Sequence, residues 1–573
     1  MNNKIYLLIA FFICSIQFST SQVLINEYTA ANYNNFQDNY NDYEDWVEFY
    51  NPTGNNIDLN GYFLSDKANN LTKWQFTSSF QIPANGHAVV FFSGRDEINN
   101  NAHTSFKLHQ TKGNEWIILT NPNGTTVEDS VWVKRCQANH SRGRETNGSA
   151  NWGVFDNPTP NGNNNNAFLG YAEKPNFSIP GGYYNGNATI DINTNTNTNI
   201  FFTVNGDFPN NTTNNYTVPV TLNNTSVLKA RSYSTNPQIL PGFIEYHTYF
   251  INDNHTIPII SISGNDIGTL LGGAGWLEPI GTFEIFNSNG QLIDKARGDF
   301  NEHGNDSWAY DQRGFDYITR DQLGYNHELE GNLFRTKDRD GYQRLILKAG
   351  ANDNYPFAYG GSGAYVRDAY CNSLSQVADL RVDERSHEPC IVYVNGQYWG
   401  VYDYREKVDD IDFTDYYYDQ DDGYVDFLKT WGNTWIEFGT DTGWVNIRDF
   451  ITNNDMSVAA NYTHAKKYFN TGSLIDYYLL NVYTVNADWL NWNTAWWRGT
   501  DPDGDKKKWR YALWDFDNTF DHGANYTGIP NTDPDSDPCD PEGMGNVGGQ
   551  GHIPILNALF KSYFYWIIAQ LKS

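Results

Sequence analysis

Over residues 23–156 short apolar runs alternate with turn residues: VLINE at 23–27, WVEFY at 46–50, YFL at 62–64, AVVFF at 88–92 and EWIIL at 115–119. Between them stand Asn51–Pro52, Asn85–Gly86, Asn121–Pro122 and Asn123–Gly124. Asn and Gly accept the left-handed conformations of tight turns, and Pro ends a strand. Short strands at regular spacing predict a β-sandwich. Residues 171–252 read as a second all-β block. From Ile257 the pattern mixes strands (257–263, 281–286, Arg344–Lys348, 391–394) with helical periodicity over 364–378, opened by the Gly361–Ser362–Gly363 turn, and over 473–485. In the latter, Leu474, Tyr477 and Tyr478 share one helix face. Strands followed by helices predict an α+β domain.

Composition narrows the class. The chain has 573 residues, room for about three to four domains. Its 38 Lys+Arg against 67 Asp+Glu give a net charge of −29, which argues against nucleic acid or an anionic membrane as partner. Aromatic residues make up 16%, unlike a disordered chain, so sizeable cores are expected. Lys4, the apolar run 5–16 and the small polar stretch Ser19–Thr20–Ser21–Gln22 predict a secretory signal over 1–21 and a secreted or cell-surface protein. A membrane anchor is the alternative, and the flanks of Cys14 do not suit a lipobox. No later run reaches the ~20 apolar residues of a spanning helix. Cys136, Cys371, Cys390 and Cys539 show no C-x-x-C spacing, so zinc has no support; an oxidising compartment allows one or two disulfides, with Cys371 and Cys390 nearest in sequence and the pairing left open by the sequence.

The candidate chemistry lies late in the chain. NADWLNWN at 486–493 and WDFD at 514–517 flank a hairpin whose arms are 494–498 and 508–513. Asp488 and Asn493 stand at D-x-x-x-x-N spacing, followed by Asp515 and Asp517. Protein kinases use that order, because phosphoryl transfer needs oxygen ligands for a divalent cation and a carboxylate that orients the acceptor hydroxyl. Upstream, a strand ends in Lys348, the 364–378 helix follows, and a hairpin leads into DYREKVDD at 403–410.

Three resemblances refine this reading. INEYTAAN, DWVEFYNPTGNNIDLNGYFLSD and IPANGHAVVFF resemble the bacterial lamin-tail domain, which implies an immunoglobulin-like sandwich over 22–157 with a binding or anchoring role. After a linker at 158–170, FSIPGGYYNGNATIDI, IFFTVNGDFP and SVLKARSYSTNPQILPGF resemble the chitobiase/β-hexosaminidase C-terminal module, a second sandwich at 171–253. GAYVRDAYCNSLSQVADL, YVNGQYWGVYDYREKVDD and YALWDFDNTF resemble the spore-coat-protein-H (CotH) family of secreted atypical kinases, covering 257–573. That resemblance implies Asp488 as the catalytic carboxylate and Asn493 with Asp515, or Asp517, as ligands of Mg²⁺ or Mn²⁺. It implies Lys348 as the phosphate-pairing lysine, with Arg367 or Asp368 completing the network, and Glu406 as a nucleoside contact. The 297–307 stretch corresponds to the family's phosphate-cradling loop. Where relatives carry a Lys-Lys pair this chain has Gln312–Arg313, with Arg313 left to meet phosphate, and the loop is acidic at Asp299, Glu302 and Asp306. Relatives continue through more helix where this chain stops at Ser573, which reads as a truncated domain.

Other features have plainer readings. Asp501–Pro502–Asp503–Gly504–Asp505 resembles the start of a Ca²⁺ loop but lacks the downstream Glu, so a turn is expected, with structural Ca²⁺ as the alternative. The acid run 533–540 reads as a solvated loop. Trp489, Trp492, Trp496, Trp497, Trp509 and Trp514 read as core rather than a sugar platform, and His303 has no partner at ligand spacing. The expectation is transfer of the ATP γ-phosphoryl group to hydroxyls of an extracellular or cell-surface protein. The alternatives are a kinase-fold scaffold that no longer catalyses, and a glycan-binding protein.

Overall fold

The computed structural model describes residues 22–99, 101–195, 197–354, 363–420, 424–490, 492–520, 546 and 549–562. The expected signal segment, the Gly361–Ser362 turn, Cys539 with the 533–540 acid run and the chain end lie outside the described residues. Two compact units divide at Leu169/Gly170.

The first unit is all β. A seven-stranded sheet has at its centre Leu24–Thr29, Asp45–Tyr50 and His87–Phe92, and a four-stranded sheet contains Phe63–Ser65 and Trp116–Thr120. Their apolar faces share one core, including Ile25, Val47, Phe49, Leu64, Val90 and Ile117. The Pro/Asn stretch 158–164 is tied to this unit: Thr159 N and Oγ1 donate to Glu27, Asn161 N donates to Glu48 at 2.6 Å, and Asn164 bonds Asn26.

The second unit starts with a five-stranded sheet around Ser226–Ser234 and Glu245–Ile251, packed over Ile190, Leu222, Leu228 and Tyr249. The chain then closes a seven-stranded barrel from Ile259–Ser263, Ile280–Phe286, Leu292–Glu302, Phe315–Thr319, Arg344–Lys348, Gln397–Arg405 and His387–Val394. Closure is tight at Gly298, where a Cβ would stand 1.9 Å from the Ile318 carbonyl oxygen, so only glycine fits. The five-stranded sheet and the barrel are joined by a shared cluster: Phe250 packs edge-on against Phe286 and Tyr393, with Ile259 and Ile391 around them.

The remainder combines a four-stranded sheet with helices. Asn433–Phe438, Val425–Trp431, Thr494–Gly499 and Arg510–Ala512 pair in that order. The helix Thr471–Tyr483 packs on the sheet with Thr442–Asn453 and His552–Phe560 around a core of Trp444, Trp496, Trp509, Tyr477 and Leu556. The expected helices are observed as Arg367–Val377 and Thr471–Tyr483. Ile411–Tyr418, Thr442–Asn453 and Ala459–Tyr468 were not anticipated, because Tyr, Asn and Thr dilute their apolar stripes. Cys371 and Cys390, the cysteines nearest in sequence, are both buried free thiols, Cys371 against Thr519 and Cys390 inside the barrel. No helix among the described residues is long and apolar enough to cross a membrane.

Candidate functional site

Lys348 is the last residue of its barrel strand and is buried. Its ammonium donates to Asp368 Oδ2 at 2.7 Å and to Asp515 Oδ1 at 2.5 Å. Asp368 lies in the first turn of the Arg367–Val377 helix, where the helix dipole favours a carboxylate. Asp515 follows the Arg510–Ala512 strand. Strand, helix and hairpin thus converge on one amine. Burial by itself would lower the lysine pKa, but Asp368 and Asp515 outweigh it and hold it above the ordinary value, with Asp517 adding to the effect. Burial likewise opposes ionisation of Asp368, yet Lys348, Arg405 and Arg385 hold its carboxyl well below the usual range. Both groups are charged at neutral pH.

Asp368 is the most heavily used group of the cluster. Arg405 pairs with its Oδ2, Asn372 donates to Oδ1 at 3.1 Å, and Phe516 N donates to Oδ1 at 3.1 Å. Arg405 also reaches Asp403 at 3.0 Å, two residues earlier on the same strand face. Arg385 donates to the Trp514 carbonyl at 2.9 Å and fixes the chain just before Asp515. Neither Arg385 nor Arg405 was singled out from sequence; the Asp403/Arg405 alternation was the available signal.

Asp488 and Asn493 stand together on the loop after Thr471–Tyr483. Asn493 Nδ2 donates to Asp488 Oδ2 at 2.9 Å, leaving its Oδ1 as an acceptor, and Asp488 N donates to Asn486 Oδ1. Two backbone bonds latch this loop to the Asp515 segment: Ala487 N to Asn518 O at 3.0 Å and Phe520 N to Thr484 O at 2.7 Å. Val485, Leu490, Asn493 and Phe520 have φ of 49°, 67°, 44° and 54°. For Val, Leu and Phe the left-handed region costs about 1–2 kcal/mol each, strain that the surrounding bonds must over-determine.

The remaining sequence candidates are placed differently. Glu406 is fully buried, and its oxygens accept from Ser386 N at 3.1 Å, Tyr417 OH at 2.8 Å and Arg339. Arg313 donates to the Leu271 and Trp308 carbonyls, each at 2.9 Å, closing the end of the helix Ile267–Leu271. Arg367 pairs with Asp353. His303, which has no partner at metal-ligand spacing in the sequence, pairs with Asp316 at 2.9 Å, and Lys407 takes the other oxygen at 2.6 Å. Burial raises the Asp316 carboxyl, but Lys407 and His303 more than offset this and hold it low. Asp501 accepts from Asp503 N and its own N–H donates to Gln420, a local turn. Trp489, Trp496, Trp497 and Trp509 are core; Trp492 and Trp514 are half-buried and contact Trp431 and Trp435 of the neighbouring hairpin.

Among the described residues no group of three or more His, Cys, Asp or Glu side chains stands where it would cage a metal ion. The oxygens near Lys348 still suit a hard cation. Asp515 is about a quarter exposed, with Lys348 and Asp517 N both on Oδ1, and Asn493 retains its amide oxygen. Mg²⁺ is ordinarily held by one or two carboxylates together with substrate phosphates rather than by an all-protein cage.

Comparison with known families agrees with this layout. Residues 17–134 match the lamin tail domain, 179–237 the chitobiase/beta-hexosaminidase C-terminal domain and 300–551 the CotH kinase protein family. No curated protein matches the chain. The chain thus carries a CotH kinase family domain behind a lamin tail domain and a chitobiase-type domain.

Proposed function

We propose that residues 257–573 form a kinase-like α+β domain that transfers the γ-phosphoryl group of ATP to a hydroxyl of an extracellular or cell-surface protein, and that immunoglobulin-like sandwiches precede it. The observation that carries the reading is Lys348 bridging Asp368 of a helix and Asp515 of a strand-end loop, with the Asp488–Asn493 pair latched alongside. A strand lysine paired to a helix acid, facing a loop Asp, is the arrangement kinases use to hold nucleotide phosphates. Lys348 would pair with phosphate oxygens, and Asp515, Asn493 and Asp517 would hold Mg²⁺ or Mn²⁺. Such a cation, bound with ATP, supplies charge neutralisation at the phosphates. Asp488 would accept the hydroxyl proton, its carboxylate oriented by the Asn493 amide.

A second reading, a kinase-fold scaffold without turnover, draws on two observations. Arg313 is committed to the Leu271 and Trp308 carbonyls, and the Glu406 carboxylate is enclosed by Ser386, Tyr417 and Arg339. Calorimetric titration of the whole chain with ATP, with and without Mg²⁺, decides between them when run beside Asp515→Ala. Saturable Mg²⁺-dependent binding that the substitution abolishes supports the phosphate site, and phosphorylation assays then test turnover. Absence of binding at millimolar ATP in folded protein removes the kinase reading and leaves the scaffold.

A further inference from the structure

The turn joining Thr494–Gly499 to Arg510–Ala512 carries Lys506–Lys507–Lys508. It lies against the end of the helix Ala459–Tyr468, whose last turn holds Lys467. Trp509 N donates to Tyr468 O and Asn470 N to Trp509 O, each at 2.9 Å, so backbone bonds fix the two segments side by side. Between them is an open pocket of about 400 Å³, lined by the four lysines, Arg510, Asn470 and Asp505.

The charges in this pocket are not balanced from within. Arg510 is spent on Asp383, at 2.7 and 3.0 Å. Lys507 donates to the Pro502 carbonyl and Lys506 lies over the Tyr418 ring, contacts that leave both charges in place. Lys467, Lys506, Lys507 and Lys508 are exposed, and among the described residues none of them forms an ion pair. Asp505 is the acid in the lining, with Asp501 and Asp503 earlier in the same turn. Among the described residues of the lining, four lysines face the single acid Asp505, on a chain whose net charge is −29. Holding like charges together is unfavourable unless an anion joins them.

We propose that this pocket binds a multivalent oxyanion of the phosphate or sulfate ester class. Ammonium groups suit such a ligand as point charges, and flexible stems let several converge on it. The pocket shares no residue with the Lys348–Asp515 cluster. It lies at the turn end of a hairpin whose other end leads into Asn493 and Asp515, roughly 20 Å along the strand. The inference therefore does not rest on phosphoryl transfer.

The test is calorimetric titration of the whole chain with inorganic tripolyphosphate and, in a second arm, inorganic sulfate. It is run on wild type, Lys467→Gln/Lys506→Gln/Lys508→Gln, Asp505→Asn and Lys348→Met, with thermal unfolding as the check on folding. Saturable binding that weakens with added salt is expected, reduced about tenfold or more in the triple variant, tightened in Asp505→Asn and still present in Lys348→Met. Preference for tripolyphosphate beyond its extra charge assigns a phosphate source, and preference for sulfate a sulfate source; either upholds the pocket. Absence of saturable binding to both probes, equal affinity in a folded triple variant, or loss of binding in Lys348→Met overturns it. Should the triple variant not fold, an Asp505→Asn affinity equal to or below wild type overturns it independently.

Discussion

At the scale of single residues, the Lys348 cluster makes an asymmetric prediction. Asp368 faces two cations, so Lys348→Met leaves its charge still compensated by Arg405. Asp368→Ala instead removes the carboxylate that the two buried cations share, leaving Lys348 only the part-exposed Asp515 and Arg405 only Asp403. Removing one partner of a buried pair costs about 3–5 kcal/mol when the remaining charge is stranded, and less where each cation keeps a second carboxylate, as here. Thermal unfolding is expected to show Asp368→Ala less stable than Lys348→Met, whereas Mg²⁺-ATP binding is expected to be lost in both. Equal stability of the two variants would show that Arg405 does not share the Asp368 charge. Glu115 gives a prediction in the first unit. Burial beside Asp66 pushes its carboxyl up to about 7 from the ordinary 4.5. The folded unit therefore holds a proton that the unfolded chain releases between these values, and stability falls as pH rises from about 4.5 to about 7. Glu115→Gln is expected to flatten that fall in melts of the whole chain, by on the order of 1–2 kcal/mol between pH 5 and 8. An unchanged pH profile would show that Glu115 ionises normally.

At the scale of elements, the hairpin Val425–Trp431/Asn433–Phe438 supports the loop that carries Asn493. Gly432 has φ 71°, and a Cβ there would stand 2.9 Å from the Trp492 ring, which packs edge-on against Trp431. Gly432→Ala is expected to cost about 1–2 kcal/mol from turn strain and to push Trp492 aside. Because Trp492 immediately precedes Asn493, metal-dependent ATP binding should weaken more than stability alone explains, and intrinsic tryptophan fluorescence should shift. Unaltered fluorescence and affinity would show that the hairpin does not position the loop. Local pattern made several elements here readable in advance. The Arg344–Lys348 strand ends as expected, and the arms of the Thr494–Gly499/Arg510–Ala512 hairpin agree to within two residues. Asp488, Asn493 and Asp515 were singled out because spacing and order along the chain carried them. Arg385 and Arg405 were not, since their roles arise from the barrel strand and the helix meeting in space. Nor could sequence tell that Glu406 and Arg313 are engaged internally, because buried acceptors and carbonyl partners leave no periodic trace. The lysine turn was read only as a hairpin end, as its partner Lys467 is on a separate helix.

At the scale of the whole chain, the second unit binds its small five-stranded sheet to the barrel through chemistry that a detachable spacer would not have. Phe250 is fully buried between Phe286 and Tyr393, Thr248 donates into the buried Glu284, and Lys229, itself buried, donates to the Ser263 carbonyl at 3.2 Å. Lys295 from the barrel pairs with Glu245 of the sheet. Cutting between them would expose Ile259, Phe286, Ile391 and Tyr393 and leave Glu284 without its Thr248 donor. Each large apolar group stripped of cover loses about 1.5–3 kcal/mol, and a domain retains only about 5–15 kcal/mol in all. A chain beginning at residue 257 is therefore expected to aggregate or to melt without cooperativity, whereas one beginning at residue 170 should unfold in a single transition close to that of the same unit in the intact protein. Phe250→Ala in the full chain should lower that transition by about 3–5 kcal/mol and weaken any nucleotide binding in proportion to the unfolded fraction. If the 257–573 chain proves monomeric and melts at the same temperature as 170–573, the chitobiase-type module is an appendage after all. The barrel would then present an open aromatic face where Phe250 had been.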